Sequence, residues 1–312
     1  MESRGLLIDG EACRAAPCPP ERIVSLTPVA SELICVFGGL DRIVGRDDHS
    51  NYPPGLDEKP ALGSSVRKTI RVEQIVGLRP DVVVTGCHIS PETVERIKSS
   101  GIPVFFVGTS CELRSLIKNA QILGGMMDAK KRAGELIEFL EGYANIVMER
   151  TGDLELKDRP RIYHECAFEK YKTTATCTSA NECITLAGGV NIARAEAPGR
   201  SVVSGEWVAM NNPDIIISQI STLFSTTART LMEKRDEILS RPELKSTNAV
   251  RNKKVYISHL SIRRGPRLIG YLLHLAKWFH PELFEDIDPG VVHRELLCKF
   301  FCQEPDGVYV YP

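Results

Sequence analysis

The sequence predicts an α/β protein of two lobes joined by one long α-helix, with a ligand cleft between the lobes. Three observations predict it. EQIVGLRPDVVV (73–84) returns as EWVAMNNPDIII (206–217), 133 residues later (206 − 73). Each copy runs from a Glu through Pro-Asp into a β-branched triplet, which reads as helix, turn and buried strand. Around both copies, short β-rich runs alternate with helical patterns, the rhythm of a parallel, helix-covered sheet. Between the copies lies a helical pattern longer than its neighbours.

The elements follow in order. ERIVSL (21–26), after Pro19-Pro20, reads as a buried strand. ASELICVFG reads as a helix ended by Gly38-Gly39. RIVGRD (42–47) is a second strand, and NYPPG breaks the chain. VEQIVGL is a short helix that stops before Pro80, and DVVVTG is a buried strand. In SPETVERIKSSG, Ser90 is placed to cap a helix, Pro91 suits its first turn and Gly101 ends it. IPVFFVG is the next strand. In MMDAKKRAGELIEFLEGYANIVMERTGD, Leu136, Ile137, Leu140, Tyr143, Val147 and Met148 recur at helical spacing, with Asp128 as the expected cap. From Asp128 to Arg150 this helix would be about 34 Å long at about 1.5 Å per residue.

After KDRP the rhythm restarts. RIYHEC is a strand, NECITLAGGVNIA a helix ended by Gly188-Gly189, GEWVAMNN a helix and DIIISQ a strand. TTARTLMEKRDEILS is helical, KKVYISH a strand and PRLIGYLLHLAKWF an amphipathic helix. FFCQEPDGVYVYP is expected to pack on the surface as an extension. The lobes are therefore expected at 19–126 and 152–312, the latter including the extension, with the linking helix at 127–151.

Composition narrows the function. A chain of 312 residues allows one large domain or two ordinary ones, and 43% hydrophobic content is enough for packed cores. A net charge of −1 argues against a general nucleic-acid binder. No stretch approaches the roughly 20 apolar residues that span a bilayer. MESRGLLIDGEACRAAPCPP has no apolar signal core, so the protein is cytosolic or a signal has been removed. The ten cysteines are even in number, but a chain of this size does not need disulfides. Cys13 and Cys18 are close, Cys298 and Cys302 sit one helical turn apart, and without any CxxC a zinc ribbon is not indicated. None of GxGxxG, GxxxxGK[ST], HExxH or GxSxG occurs; that absence does not exclude an enzyme, because active sites can be assembled without such motifs, but no enzyme and no catalytic residue is expected.

PPERIVSLTPVASELICVFGGLDRIVGRDDHSNYPP resembles the N-terminal lobe of the substrate-binding proteins of ABC importers for iron–siderophores, haem and vitamin B12. The resemblance continues through VEQIVGLRPDVVVTG, the long helix, CITLAGGVNIA, GEWVAMNNPDIII and RRGPRLIGYLLHLAKWF, roughly residues 19 to 285. It implies two Rossmann-like lobes bridged by one rigid helix that closes little on its ligand. It implies no cofactor, and as ligand a metal chelate: ferric siderophore first, then cobalamin or haem. The partners would be an ABC permease dimer and its ATPase subunits, with no nucleic acid. The protein would be a monomer outside the cytoplasm, in the periplasm or anchored at the cell surface. The cysteines and the missing signal favour an alternative, a cytoplasmic chelatase-like or tetrapyrrole-handling enzyme of related two-lobed architecture.

Ligands of such folds sit at the C-terminal ends of the strands. The resemblance places Thr27 and Pro28 there. In GRDDHSNYPP (45–54) it places Asp48, His49 and Tyr52, with His49 where the vitamin B12-binding members carry an aromatic residue. A solvated polar loop with aspartates as turn formers is the plainer reading. In GSSVRKT (63–69), Val66 and Arg67 are candidates; a guanidinium forks well onto carboxylate or phosphate, although Arg67 could be an ordinary surface residue. Cys87 and His88 stand beside a helix N-terminus, which favours anions and thiolate; the alternatives are thiol packing and an exposed imidazole. In the second lobe, Tyr171 opens the list, followed by Lys172 and an inward-pointing His164. Arg263 and Arg264 follow a strand, and Arg200 is a weaker candidate. So many arginines suit an anionic chelate, unless they pair with the surplus acids.

Arg67 and Arg263 are expected to be exposed. Cys87, His88, Cys111, His164, Cys166 and Cys177 fall near strand ends, where thiolate with imidazole would select zinc, copper(I) or a cluster. Nothing in their spacing demands it, and cysteine is often a small buried hydrophobe, so no metal site is expected. Glu73 and Glu206 suit the first turn of a helix. The resemblance gives them a further role: a Glu on each lobe pairs with arginines on the two halves of the permease.

Overall fold

The structure is a computed structural model that describes residues 18–108, 112–167, 169–176, 178–196, 200–221 and 227–312, with Arg200 described by its backbone alone. It divides into two compact units, the first ending at Leu140 and the second beginning at Glu141.

In the first unit the order is β1 (Ile23–Ser25), α1 (Pro28–Val36), β2 (Ile43–Arg46), α2 (Val72–Gly77), β3 (Val82–Thr85), α3 (Pro91–Ser99), β4 (Val104–Phe106) and α4 (Leu113–Met126). The sheet runs β2-β1-β3-β4 and every pair is parallel, with Ile23 opposite Val82 and Val83 opposite Val104. The central strands β1 and β3 are buried along their length and read as runs without alternation, whereas the edge strand β2 alternates buried and half-buried residues. Val24, Leu26, Val72, Ile75, Val83, Val94 and Ile97 form one core layer. Ser90 accepts the Thr93 N–H and Pro91 occupies the first turn of α3, as the sequence predicts.

The sequence reading passes over α4 and misplaces Asp128. Asp128 has φ +55°, and the Ala129 N–H closes onto the Gly124 carbonyl at 2.7 Å. That 6→1 closure ends α4 in a left-handed residue. Asp128 therefore terminates one helix instead of capping the next, and α5 runs Lys130–Gly152 rather than 128–150. A side chain at Gly124 would lie 2.3 Å from the Ala133 Cβ, so only glycine lets α4 approach α5 this closely. Helix α5 buries Ala133, Leu136, Leu140, Ala144 and Val147, one stripe at three- and four-residue spacing. The division between the units falls inside it.

The second unit contains β5 (Arg161–Glu165), β6 (Lys172–Thr174), α6 (Ser179–Leu186), β7 (Val190–Asn191), β8 (Arg200–Val202), α7 (Gly205–Asn211) and β9 (Ile215–Ile220). It continues with α8 (Ala228–Leu239), α9 (Asn248–Arg251), β10 (Val255–His259), α10 (Leu268–Phe279), α11 (Pro289–Leu296) and β11 (Val310–Tyr311). Strands β7, β5, β9 and β10 lie parallel in that order, the first sheet's order repeated. The sheet as a whole is mixed, because β6, β8 and β11 join it antiparallel. Helix α11 starts at Asp288, which accepts the N–H groups of Gly290 and Val291, and the tail after it joins the sheet, since β11 pairs with β10.

The repeat has a physical cause. Asp81 accepts the backbone N–H groups of Glu21 and Arg22 at 2.8 and 2.9 Å, while the Arg22 guanidinium donates to the Leu78 carbonyl at 2.7 Å. In the second unit Asp214 accepts the Arg161 N–H at 2.9 Å, and Arg161 donates to the Asn211 carbonyl at 2.8 Å. Leu78 and Asn211 stand in the same relation as Asp81 and Asp214, 133 residues apart (211 − 78 and 214 − 81). Each clamp ties the start of a central strand to the end of the helix that precedes its neighbour and satisfies a carbonyl at that helix end.

Candidate functional site

In the first unit, the loops that follow β1, β2 and β3 are bound to one another. Thr27 precedes α1 without capping it, and Pro28 occupies the first turn. Asp47, buried, accepts the Ser50 hydroxyl and the His49 N–H. Ser31 donates to Ser25 at 2.8 Å and lies 3.0 Å from Ser50. The Asp48 N–H donates to the Gly63 carbonyl at 2.9 Å, and Asp48 Oδ1 accepts the Gly63 N–H at 3.1 Å. Asp48 thus builds the loop.

The 63–69 loop closes on itself. The Thr69 N–H donates to the Ser64 carbonyl, and Thr69 Oγ1 accepts the Ser64 N–H, each at 3.0 Å. Gly63 has φ +102°, and a Cβ there would lie 2.1 Å from the Thr69 carbonyl oxygen, so no other residue fits. The tip presents Val66, 67% exposed, with Arg67 and the left-handed Lys68. Ser65 reaches the Leu26 carbonyl, and Gly86 packs beside Thr27. The structure therefore gathers Thr27, Pro28, Asp48, His49, Val66, Arg67, Cys87 and His88 on the C-terminal edge of the first sheet. His49 and Tyr52 are half-buried, whereas Arg67, Cys87 and His88 are exposed.

In the second unit, Tyr171 is already committed. It is left-handed, its N–H donates to Glu165 Oε2 at 3.1 Å and its hydroxyl donates to Glu243. The guanidinium of Arg241 and the ammonium of Lys170 each lie 4.9 Å from its ring centroid. Beneath it, buried Glu165 takes two bonds from buried Arg241, at 2.5 and 2.9 Å, and Lys234 stands 3.2 Å away. Burial alone would raise the Glu165 carboxyl. The Arg241 hydrogen bonds, with the charges of Arg241 and Lys234, hold it below the ordinary carboxylate range. Residue type and spacing gave no sign of this network, because its members come from four separate segments.

Arg263 closes the 3-10 turn after β10 and, like Arg264, is half-buried, not exposed as expected. Its charge acts on two buried groups, Cys183 and Tyr271. Burial pushes the Cys183 thiol up to about 12, an effect that Arg263 partly offsets. Arg200 opens β8 opposite Thr174, and its side chain lies outside the described residues.

Glu73 and Glu206 occupy the first turns of α2 and α7, and both are exposed. Glu73 pairs with Arg96 of α3. Glu206 has no ion pair among the described residues. Of the metal candidates, Cys111 and Cys177 lie outside the described residues. Buried His164 has its Nδ1 3.0 Å from Thr174 Oγ1. Among the described residues no cluster of three or more His, Cys, Asp or Glu is disposed to hold a metal, and no helix is long and apolar enough to cross a membrane.

The two units thus repeat one parallel strand order, and the first carries a hydrogen-bonded set of strand-end loops. Residues 23–259 match the family described as periplasmic binding protein, and the chain belongs to that family. It is 26% identical over 273 residues to YvrC of Bacillus subtilis, an uncharacterized ABC transporter substrate-binding lipoprotein, covering 86% of this chain and 82% of that one. It is 24% identical over 264 residues to a cobalamin-binding protein of Halobacterium salinarum, covering 84% and 70%. Its fold matches the molybdate periplasmic binding protein MolA of Haemophilus influenzae with a TM-score of 0.79 over 93% of this chain and 95% of that one, at 19% identity. The homologues are thus solute-binding components of ABC transporters.

Proposed function

We propose that the protein is the solute-binding component of an ABC importer, capturing a metal chelate outside the cytoplasm and delivering it to a permease dimer served by ATPase subunits. The observation that carries this is the tethered loop set on the first sheet of a chain that belongs to the periplasmic binding protein family. Its exposed Arg67, Lys68 and Val66 offer cationic and apolar surface together, which suits a large anionic chelate better than a small neutral metabolite. His49, Tyr52, Cys87 and His88 complete the contacts we assign on the first unit; Arg263 and Arg264 are assigned as candidate contacts on the second. The Halobacterium relative is named for cobalamin, which moves a corrinoid ahead of ferric siderophore and haem in the order of ligands to test. Anchoring at the membrane surface belongs to the same reading, since YvrC is named a lipoprotein.

A thermal-shift screen against cobalamin, ferric siderophores, haem and molybdate tests the proposal. One chelate should raise Tm and bind at micromolar affinity or better, about −8 kcal/mol. If no chelate shifts Tm while a small unrelated metabolite does, the ligand class is wrong.

A further inference from the structure

We propose that Cys298 and Cys302 form a redox-active dithiol, a modification site separate from the ligand loops, which a small-molecule or protein disulfide converts to an intramolecular disulfide. Both thiols are free and exposed, and they lie four residues apart (302 − 298). Cys298 lies in a π-helical turn, Leu297–Phe301, and Cys302 directly follows it; Phe300 and Phe301 of the turn are buried anchors. The Cys302 N–H closes this turn onto the Leu297 carbonyl. Such turns often mark functional positions.

Residues four apart on a helix have Cβ atoms about 5–6 Å apart, whereas a disulfide needs about 3.5–4.5 Å. Cys302 departs from that regular spacing, because it stands beyond the last helical residue in a left-handed conformation (φ +54°). The Gln303 N–H also donates to the Leu297 carbonyl, at 3.2 Å, so closing the bond requires this end of the turn to open, and residues 304–309 beyond it have no regular structure to resist that. The two thiols also have distinct surroundings. Cys298 donates its S–H to Glu304 Oε1 at 3.4 Å, and Arg294 stands 3.7 Å from the other carboxylate oxygen.

This asymmetry orders the chemistry. The Cys302 thiolate attacks the disulfide RS–SR, forming a mixed disulfide and expelling one RS⁻. Cys298 then passes its proton toward Glu304 and attacks the Cys302 sulfur, expelling the second RS⁻. Two protein thiols are oxidised to one disulfide, and RS–SR is reduced to two RSH after uptake of two protons.

Peptide mapping tests it on the full chain. The reduced protein is treated with oxidised glutathione, quenched with N-ethylmaleimide and cut with trypsin, which cleaves after Arg294 and Lys299. Glu295–Lys299 and Phe300–Pro312 should appear as one linked pair, two hydrogens lighter than their sum and separated by dithiothreitol. In Cys298→Ser, Phe300–Pro312 should instead retain one glutathione. Wild-type peptides that each carry glutathione or maleimide, or that link to any other cysteine, would overturn the proposal. Ligand affinity takes no part in this readout, so the result is independent of the proposed transport role.

Discussion

Asp214 holds the backbone N–H of Arg161 at 2.9 Å, and Arg161 returns its guanidinium to the carbonyl that ends helix α7. Asp81 and Arg22 do the same at the end of α2. Asp81→Ala and Asp214→Ala should each destabilise the protein by about 1.5–3 kcal/mol, the range for hydrogen bonds to a charged group. Urea unfolding followed by circular dichroism measures this. Changes below a few tenths of a kcal/mol in both variants would reduce the repeat to turn chemistry.

The Glu165–Arg241 pair makes a larger prediction. Arg241→Met leaves a buried carboxylate without its main partner and should cost about 3–5 kcal/mol. Acid should do related damage. Glu165 and Glu237 are both held low in the folded state against burial, Glu237 at about 2, by hydrogen bonds from Arg241, with Lys234 contributing. Their contribution is therefore complete above the unfolded carboxylate range, near 4.5, and is lost as pH falls toward 2. A melting series from pH 6 to pH 2 should fall less steeply in Arg241→Met than in the wild type.

Two histidines in the C-terminal part act at higher pH. Burial holds His274 at about 4; burial, with Arg267 and then His274, holds His293 at about 3. His293 lies 5.1 Å from the Tyr309 ring centroid and is buried as the neutral imidazole. Below the ordinary value of 6.5 the unfolded chain takes up protons that the folded protein refuses, so stability drops from pH 6.5 toward 4. His293→Phe should flatten that slope in denaturant titrations at pH 7, 6, 5 and 4. An unchanged slope would remove His293 from the acid response.

We propose Glu73 and Glu206 as the permease contacts, and the two are unequal. Glu73 already faces Arg96, whereas Glu206 has no ion pair among the described residues. Glu206→Arg should therefore slow association with permease proteoliposomes more than Glu73→Arg, most clearly at low salt, while ligand affinity stays within about twofold. Equal association rates for the double variant and the wild type would leave both residues with only their helix-dipole role.

Arg67 and Arg263 separate recognition from packing. Arg67→Ala should weaken an anionic ligand by about 1–3 kcal/mol at unchanged Tm, since Arg67 is exposed. Arg263→Ala should lower Tm as well, because the Arg263 side chain is half-buried. Calorimetry with paired melting curves distinguishes the two.

What the sequence revealed follows from burial. IVS, VVV and III were legible because parallel strands covered on both faces need only β-branched bulk. Ser90-Pro91 was legible because a cap is a local interaction. Helix α4 was passed over: Glu112 precedes it without a side-chain cap bond, and Gly124-Gly125 near its end resembles a loop. Strands β6 and β8, KTT and RSV, are too short and polar to show alternation. Helix α11 did carry a signal, Asp288-Pro289 before an apolar pair, which the reading left unused. At the site, strand-end positions were readable from element order. The commitments of Asp48 to Gly63 and of Tyr171 to Glu243 were not, because each partner is distant in sequence.

Strand β11 has a practical consequence for handling the protein. Val310 and Tyr311 cover Ser258 and Ile257 of β10, and the Tyr309 carbonyl takes the His259 N–H. Deleting residues 303–312 would bare that row of donors and acceptors, and an uncovered edge recruits strands from other molecules. Truncated preparations should aggregate in proportion to concentration. A purification tag is better attached at the other terminus, or behind a flexible spacer that leaves Tyr311 seated.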